Sequence, residues 1–344
     1  MACLSLAIIG CGRIAQTAHA RALADLSNRV RLTATADIEL DAAKRVAQPW
    51  GADAYSDYRR VLDRPDVDAV IVSTPEFMHH EQVVAAAAAG KHVLCEKPMA
   101  NSLREADAMI AACERANVRL LVGHSRRFTR RYLEVERVLR SGEIGDVRLV
   151  RENERRNRSF GGLSKVLWRP GHWSGDPKTS HGVALMAGVH EADILRWFVG
   201  AEAVSVYAQH DVTGEGNVGI PDFISFTVKF SNGGIGSSEI SRLPPGSYPA
   251  FHQLEVYGQR GLLRAKDSDS VSVSLFHEQG ASFPAYEEIL MATRYSYTRQ
   301  LLEFVAAIDE KRTPRVSPYD ARAALSIALA AVESAKTGLP VAPE

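Results

Sequence analysis

The sequence predicts an α/β protein: an N-terminal doubly wound parallel sheet of Rossmann type, then an α+β domain with a large, mostly antiparallel open sheet. Three observations carry this. Short β-rich apolar runs alternate with Ala-rich helical segments through the first 124 residues, whereas strand-like runs predominate after about residue 145. The chain, at 344 residues, is long enough for two cores, at roughly 150 residues per domain. The expected division is 1–124 and 125–344, with the C-terminal helices packing back on the first domain.

In the first part, Leu4–Ile9, Arg31–Ala36, Ala69–Ser73, Lys91–Cys95 and Leu120–Gly123 read as buried strands. Helical stretches lie between them at Ala15–Asp25, Leu40–Ala47, Phe77–Ala89 and Ser102–Ala116, and Asp57 begins a short helix that Pro65 follows. In the second part the expected strands are Val147–Asn153, Ala203–Ala208, Phe223–Phe230, Ile235–Ile240, Gln253–Tyr257, Leu262–Ala265 and Val271–Phe276. Turn chemistry such as Ser231-Asn232-Gly233-Gly234 and Gly258-Gln259-Arg260-Gly261 separates several of them. One helix, His181–Phe198, interrupts the strands, and two more, Tyr297–Glu310 and Pro318–Thr337, close the chain.

Bulk chemistry narrows the partners. Lys plus Arg (41) equals Asp plus Glu (41), so there is no electrostatic reason to expect nucleic acid or an anionic membrane. Cys3, Cys11, Cys95 and Cys113 form no CxxC pair and are expected as buried free thiols in a reducing compartment. The opening MACLSLAIIG lacks a signal peptide's basic region and cleavage site, and the longest apolar run, Val83–Ala89, is too short to span a bilayer. A cytoplasmic protein is expected.

Gly10-Cys11-Gly12-Arg13-Ile14-Ala15 is a GxGxxA element placed after the first strand and opening a helix, the context in which it binds a dinucleotide. Gly10 permits the tight turn, Gly12 lets the backbone approach a pyrophosphate, and Ala15 lets helix and strand pack closely. Asp37 ends the second strand, where a carboxylate accepts hydrogen bonds from ribose hydroxyls, and Ile38 follows in place of a Ser or Arg. NAD is therefore expected over NADP.

Further along, Val93-Leu94-Cys95-Glu96-Lys97-Pro98 resembles the Glu-Lys-Pro signature of the glucose–fructose oxidoreductase/inositol dehydrogenase/MocA family. Gly188-Val189-His190-Glu191-Ala192-Asp193 resembles that family's Gly-x-His-x-x-Asp helix, and Arg126-Arg127-Phe128 and Glu333-Ser334-Ala335 also fit. The resemblance covers essentially the whole chain. It implies an NAD-dependent dehydrogenase acting on a secondary alcohol of a cyclic polyol, sugar or sugar derivative. Lys97 would contact the reacting oxygen and His190 would be the acid/base; Ser73, Thr74, Pro75 and His79 would lie beneath the nicotinamide, with Glu96 and Lys97 also at the cofactor. Two other outcomes of the same fold are a redox-neutral glycosidase or lyase that uses NAD transiently, and a non-catalytic sensor of nucleotide or sugar. A homodimer or homotetramer through an apolar open face of the second sheet is also implied.

One departure is informative. Many relatives carry an Asp four residues before the histidine, where this chain has Met186, which can neither hold nor accept a proton. Glu76, where relatives often have Asn, is a candidate replacement. Arg126, Arg156, Trp168, Trp173, Met186 and Asp193 are candidate substrate contacts, although most arginines of the stretch Arg151–Arg158 read better as the solvated face of a strand. His172, His181 and His190 are too scattered for a metal site, and none is expected.

Overall fold

The computed structural model describes residues 3–156, 173–176, 179–212, 219–242, 251–266, 273–277, 280–282 and 292–344. These form two compact units, Met1–Thr129 with Met291–Arg322 and Arg130–Leu290 with Ala323–Glu344.

In the first unit β1 (Leu4–Ile9) enters the glycine turn, and a π-helical turn, Ala15–His19, runs into α1 (Ala20–Asp25). Next come β2 (Val30–Ala36), α2 (Leu40–Ala47), β3 (Asp53–Tyr55) and α3 (Arg59–Leu62). They are followed by β4 (Ala69–Val72), α4 (His79–Ala88), β5 (His92–Cys95), α5 (Leu103–Arg115) and β6 (Leu120–Val122). The six strands are parallel in the order β3-β2-β1-β4-β5-β6. β4 is buried along its whole length, as an inner strand covered on both faces must be. The sequence reading did not include β3, whose three residues form a partly exposed edge too short to show a period. The order reverses between β1 and β4, and ligands of such sheets bind beyond the carboxyl ends of the strands at that point.

The second unit opens with α6 (Arg130–Ser141), an amphipathic helix that the sequence reading missed among its charges; it buries Tyr132, Val135 and Val138. β7 (Val147–Arg155), α7 (Val183–Met186), α8 (Gly188–Val199), β8 (Ala203–Asp211) and β9 (Phe223–Phe230) follow. Then come β10 (Ile235–Ser241), β11 (Phe251–Gly258), β12 (Gly261–Lys266), β13 (Val273–His277) and β14 (Gly280–Ser282). The sheet order is β14-β13-β12-β11-β7-β10-β9-β8. Only the central β7–β10 pair is parallel, because the chain crosses over between them through α7, α8 and the β8–β9 pair. One face is apolar: Ile224, Phe226, Val228 and Phe230 of β9 pack with Ile194, Leu195 and Phe198 of α8. The opposite face, expected to be apolar, carries many polar side chains, with Arg155 2.9 Å from Glu239 and the Tyr257 hydroxyl donating to Glu255 at 2.9 Å.

The single helix expected over His181–Phe198 is two helices. Gly182 enters α7 at φ +64°, where a Cβ would stand 2.4 Å from the Pro221 carbonyl oxygen. Ala187, at φ −112°, separates the two, and Gly188 packs where a Cβ would meet the Ile240 side chain at 3.4 Å. Of the four thiols, Cys11, Cys95 and Cys113 are buried as expected, whereas Cys3 is exposed. No helix among the described residues is long and apolar enough to cross a membrane.

α9 (Ala292–Asp309) belongs to the first unit, and α10 (Pro318–Thr337) begins in the first unit and continues in the second. α9 sets Leu301, Phe304 and Val305 against Leu6, Ile8, Leu23 and Leu32. Phe304 is fully buried, so Phe304→Ala is expected to cost about 3–5 kcal/mol. Urea unfolding followed by circular dichroism would measure this; a loss below about 1 kcal/mol would show that α9 adds little to that core.

Candidate active site

The turn after β1 is built around two glycines with different duties. Gly10 has φ +89°, and a Cβ there would fall 2.6 Å from the Thr74 backbone nitrogen and 2.7 Å from the Ser73 carbonyl carbon. Only a residue without a side chain lets the ends of β1 and β4 meet this closely. The Ser73 hydroxyl secures the contact by donating to the Gly10 carbonyl at 2.7 Å. A Cβ on Gly12 would meet nothing within 4 Å, so the backbone there lies open to a ligand. Arg13 is exposed, Ile14 half-buried, and Ala15 fully buried at the start of the helical run.

Asp37 stands beside this turn. It accepts hydrogen bonds from the backbone N–H of Cys11 at 2.7 Å and of Glu39 at 2.9 Å, one on each carboxylate oxygen. Each oxygen keeps lone-pair capacity for a ribose hydroxyl. Ile38 is 81% exposed and offers no positive charge for a 2′-phosphate. An open glycine backbone, the amides that begin a helix and a fixed carboxylate suit NAD.

β4 and β5 end next to each other and carry the remaining candidates of this unit. Glu96 is buried between His19, whose Nε2 lies 2.8 Å from its Oε1, and the Lys97 backbone N–H, which donates to Oε2 at 3.3 Å. Burial alone would raise the Glu96 carboxyl. The His19 hydrogen bond and charge, with Lys97, hold it below its usual value instead. Gly123 makes room for this carboxylate, since a Cβ there would lie 3.1 Å from Oε2. Lys97 is half-buried at the carboxyl end of β5 and is joined to Pro98 by a cis peptide bond.

His79 is fully buried, with Nδ1 2.8 Å from the Pro98 carbonyl oxygen and Nε2 3.0 Å from that of Thr74. Burial pulls its pKa down, against both carbonyls. It braces the two strand ends from beneath. The Thr74 hydroxyl donates to Gln82 Oε1 at 2.6 Å, and Pro75 leads into Glu76, which is 6% exposed. Burial pushes the Glu76 carboxyl up to about 7, held back by its own backbone amide and by Lys97. Arg126, in the turn after β6, is buried.

In the second unit Met186 ends α7 and His190 lies in the first turn of α8, both half-buried, with the His190 N–H donating to the Ala187 carbonyl at 2.8 Å. The helix break at Ala187 falls between them, so they do not share a continuous helical face as expected. Asp193 is buried one turn further on. Trp173 is half-buried in a short 3-10 turn, and Trp168 lies outside the described residues.

Arg156 is held at 3.0 Å from Glu154 Oε1 and 3.0 Å from His252 Nε2. It belongs to a buried cluster that the sequence reading missed. Glu152 and Glu154 point inward from β7, the first accepting from the Tyr132 hydroxyl and the second paired with Arg242 at 2.5 Å. Strand alternation offered a signal: Glu152 and Glu154 share the face of Val150.

Fold and site together define an NAD-binding oxidoreductase with a Rossmann domain. Residues 4–124 match the family described as "Oxidoreductase family, NAD-binding Rossmann fold", and residues 132–264 match "GFO/IDH/MocA C-terminal domain". The chain belongs to the GFO/IDH/MocA family. It is 30% identical over 336 residues to the myo-inositol 2-dehydrogenase of Thermotoga maritima, covering 96% of each chain. It is 28% identical over 352 residues to the scyllo-inositol 2-dehydrogenase (NAD(+)) of Bacillus subtilis, covering 97% of this chain and 95% of that one. Among solved structures, a probable dehydrogenase from Thermotoga maritima superposes with a TM-score of 0.82 at 29% identity over 98% of both chains. Levoglucosan dehydrogenase in complex with NADH shares the fold, with a TM-score of 0.88 at 23% identity over the whole of both chains.

Two outcomes are expected from this geometry. Gly10→Ala forces a methyl group into backbone atoms of β4's end and should weaken NAD+ binding at least about tenfold by calorimetry; unchanged affinity would show that the turn can open without cost. The second concerns stability. With a folded value near 7 against an ordinary 4.5, folded Glu76 holds a proton that the unfolded chain releases between those pH values. Stability therefore falls as pH rises through that window, by about 3 kcal/mol in full. Glu76→Gln should raise the melting temperature relative to wild type at about pH 8 but not at about pH 5; an equal effect at both would contradict a raised pKa.

Proposed function

We propose that this protein catalyses the reversible NAD-dependent oxidation of a secondary alcohol on a cyclic polyol, sugar or sugar derivative. The observation that carries the reading is Lys97 at the carboxyl end of β5, in the unit that holds the glycine turn and Asp37, within a chain similar along its whole length to inositol dehydrogenases. Bound NAD+ supplies the acceptor for the hydrogen removed from carbon. Lys97 hydrogen-bonds the reacting oxygen and stabilises the negative charge that develops on it. A base must receive the hydroxyl proton, and His190 is the group that the family resemblance assigns to this work. Asp37 holds the adenosine ribose, the backbone at Gly12 meets the pyrophosphate, and Glu96 fixes the backbone of Lys97 through its amide. The second unit is assigned the substrate contacts, with Trp168, Trp173, Met186 and Asp193 as its candidates, whereas Arg156 is held in the buried cluster with Glu154 and His252.

The test is NADH formation, followed by absorbance, over a panel of inositols, aldoses, sugar acids and deoxy-sugars with wild type and Lys97→Ala. Turnover of a subset of the panel, lowered at least about 100-fold in Lys97→Ala, is the expected result. Silence across the panel in protein that binds NAD+ would overturn the reading in favour of a redox-neutral enzyme or a sensor.

A further inference from the structure

A lysine can serve a reacting oxygen only if the backbone that carries it is held still. The Lys97 N–H donates to Glu96 Oε2 at 3.3 Å, and the carbonyl of the next residue, Pro98, lies 2.8 Å from His79 Nδ1. Glu96 follows β5, with its own N–H donating to the Val72 carbonyl at 2.8 Å. That bond fixes the Glu96 backbone, but a glutamate side chain still turns about several bonds. Its carboxylate is fixed by His19, whose Nε2 lies 2.8 Å from Oε1, with both side chains more than nine-tenths buried. The carboxyl is held as an anion, so Nε2 is the donor and the bond is charge-assisted. The surroundings fit the pair. A Cβ on Gly123 would fall 3.1 Å from Oε2, and the Tyr297 ring stands edge-on to His19 at 5.3 Å.

His19 reaches this position from an unusual turn. It ends the π-helical segment Ala15–His19, in which the Ala20 N–H bonds back to the Ala15 carbonyl. One extra residue in a turn alters which side chains face inward, and such turns are frequent at functional sites. Gln16 fastens the segment to the glycine turn: its side-chain amide donates to the Cys11 carbonyl at 2.7 Å, and its backbone N–H to the Gly12 carbonyl at 3.1 Å. The glycine turn, the π-helical turn, Glu96 and the Lys97 amide are therefore joined in series.

We propose that His19 is a positioning residue for Lys97: it holds the Glu96 carboxylate in the orientation that fixes the Lys97 backbone, and so serves the chemical step rather than NAD+ binding. This rests on the dehydrogenase reading above. His19 exchanges no proton with substrate; that work stays with His190. A pair kept only for stability would lower the melting temperature when broken and leave the turnover of each folded molecule alone. A positioning pair that acts by one route behaves differently. Turnover falls when either partner is removed, and removing both costs no more than removing Glu96.

The experiment compares wild type, His19→Ala, His19→Gln, Glu96→Ala, the double variant His19→Ala/Glu96→Ala, and Phe304→Leu as a change that weakens the same unit elsewhere. The first readout needs no cofactor: hydrogen exchange of the Lys97 amide in protein labelled with 15N-lysine, its signal identified by Lys97→Arg. Exchange should quicken at least about tenfold in His19→Ala. It should stay within about threefold of wild type in Phe304→Leu and in His19→Gln, whose side-chain N–H can replace Nε2–H. The second readout is oxidation of a substrate from the panel. His19→Ala should lose at least about tenfold in kcat with its Kd for NAD+ within about threefold of wild type by calorimetry, and His19→Gln should recover most of the loss. The double variant should match Glu96→Ala. If His19→Ala does not fold, His19→Leu, which fills the space without a donor, takes its place. Unchanged exchange, turnover within about twofold of wild type, losses that multiply in the double variant, or a loss confined to NAD+ affinity would each overturn the assignment. A wild type that binds NAD+ but oxidises nothing in the panel would sink the dehydrogenase reading and the catalytic purpose of the pair, while the exchange result would still decide whether His19 holds the Lys97 backbone.

Discussion

A carboxylate removed from water has to be paired, and the pairing of Glu96 organises this site. Its partner, His19, ends the π-helical turn that follows the glycine element, and its other oxygen holds the backbone of Lys97. His19 and Glu96 lie 77 residues apart along the chain, yet this one carboxylate ties the segment after the glycine turn to the backbone of Lys97. Gly123 on the neighbouring β6 end is the accommodation for that carboxylate, and Tyr297 of α9 stands edge-on to His19 with ring centroids 5.3 Å apart. Breaking a buried pair by removing one partner typically costs about 3–5 kcal/mol, so both the stability and the geometry of the site depend on it.

The same economy of buried charge recurs in the second unit. Glu152 and Glu154 enter the interior of β7 only because Tyr132, Arg156, Arg242 and His252 gather around them. That network uses Arg156, which the sequence offered as a substrate contact. Glu76 lies outside such networks.

Much of the fold was legible in order. β1, β4, β5 and β6 appear as apolar runs because a strand buried on both faces needs no alternation, and β9 appears because its alternation is strict. α6 and β3 were not legible, since a charged amphipathic helix and a three-residue edge carry weak periods. The break at Ala187 was hidden too, because Gly182 and Gly188 answer to Pro221 and Ile240, residues remote in sequence.

The sequence by itself determined the cofactor chemistry. A glycine turn, the helix after it and an acidic residue at the next strand end are local features, set by φ angles and spacing. It also marked Lys97 and His190 by their motifs. Tertiary structure decided the charge state of each group around them. Glu96 is a paired anion, and burial raises the Glu76 carboxyl and lowers the His79 imidazole, although the sequence offers three ordinary ionisable residues. The physical reason is that protonation depends on desolvation and on partners brought from distant strands, and neither is written in any short stretch of chain.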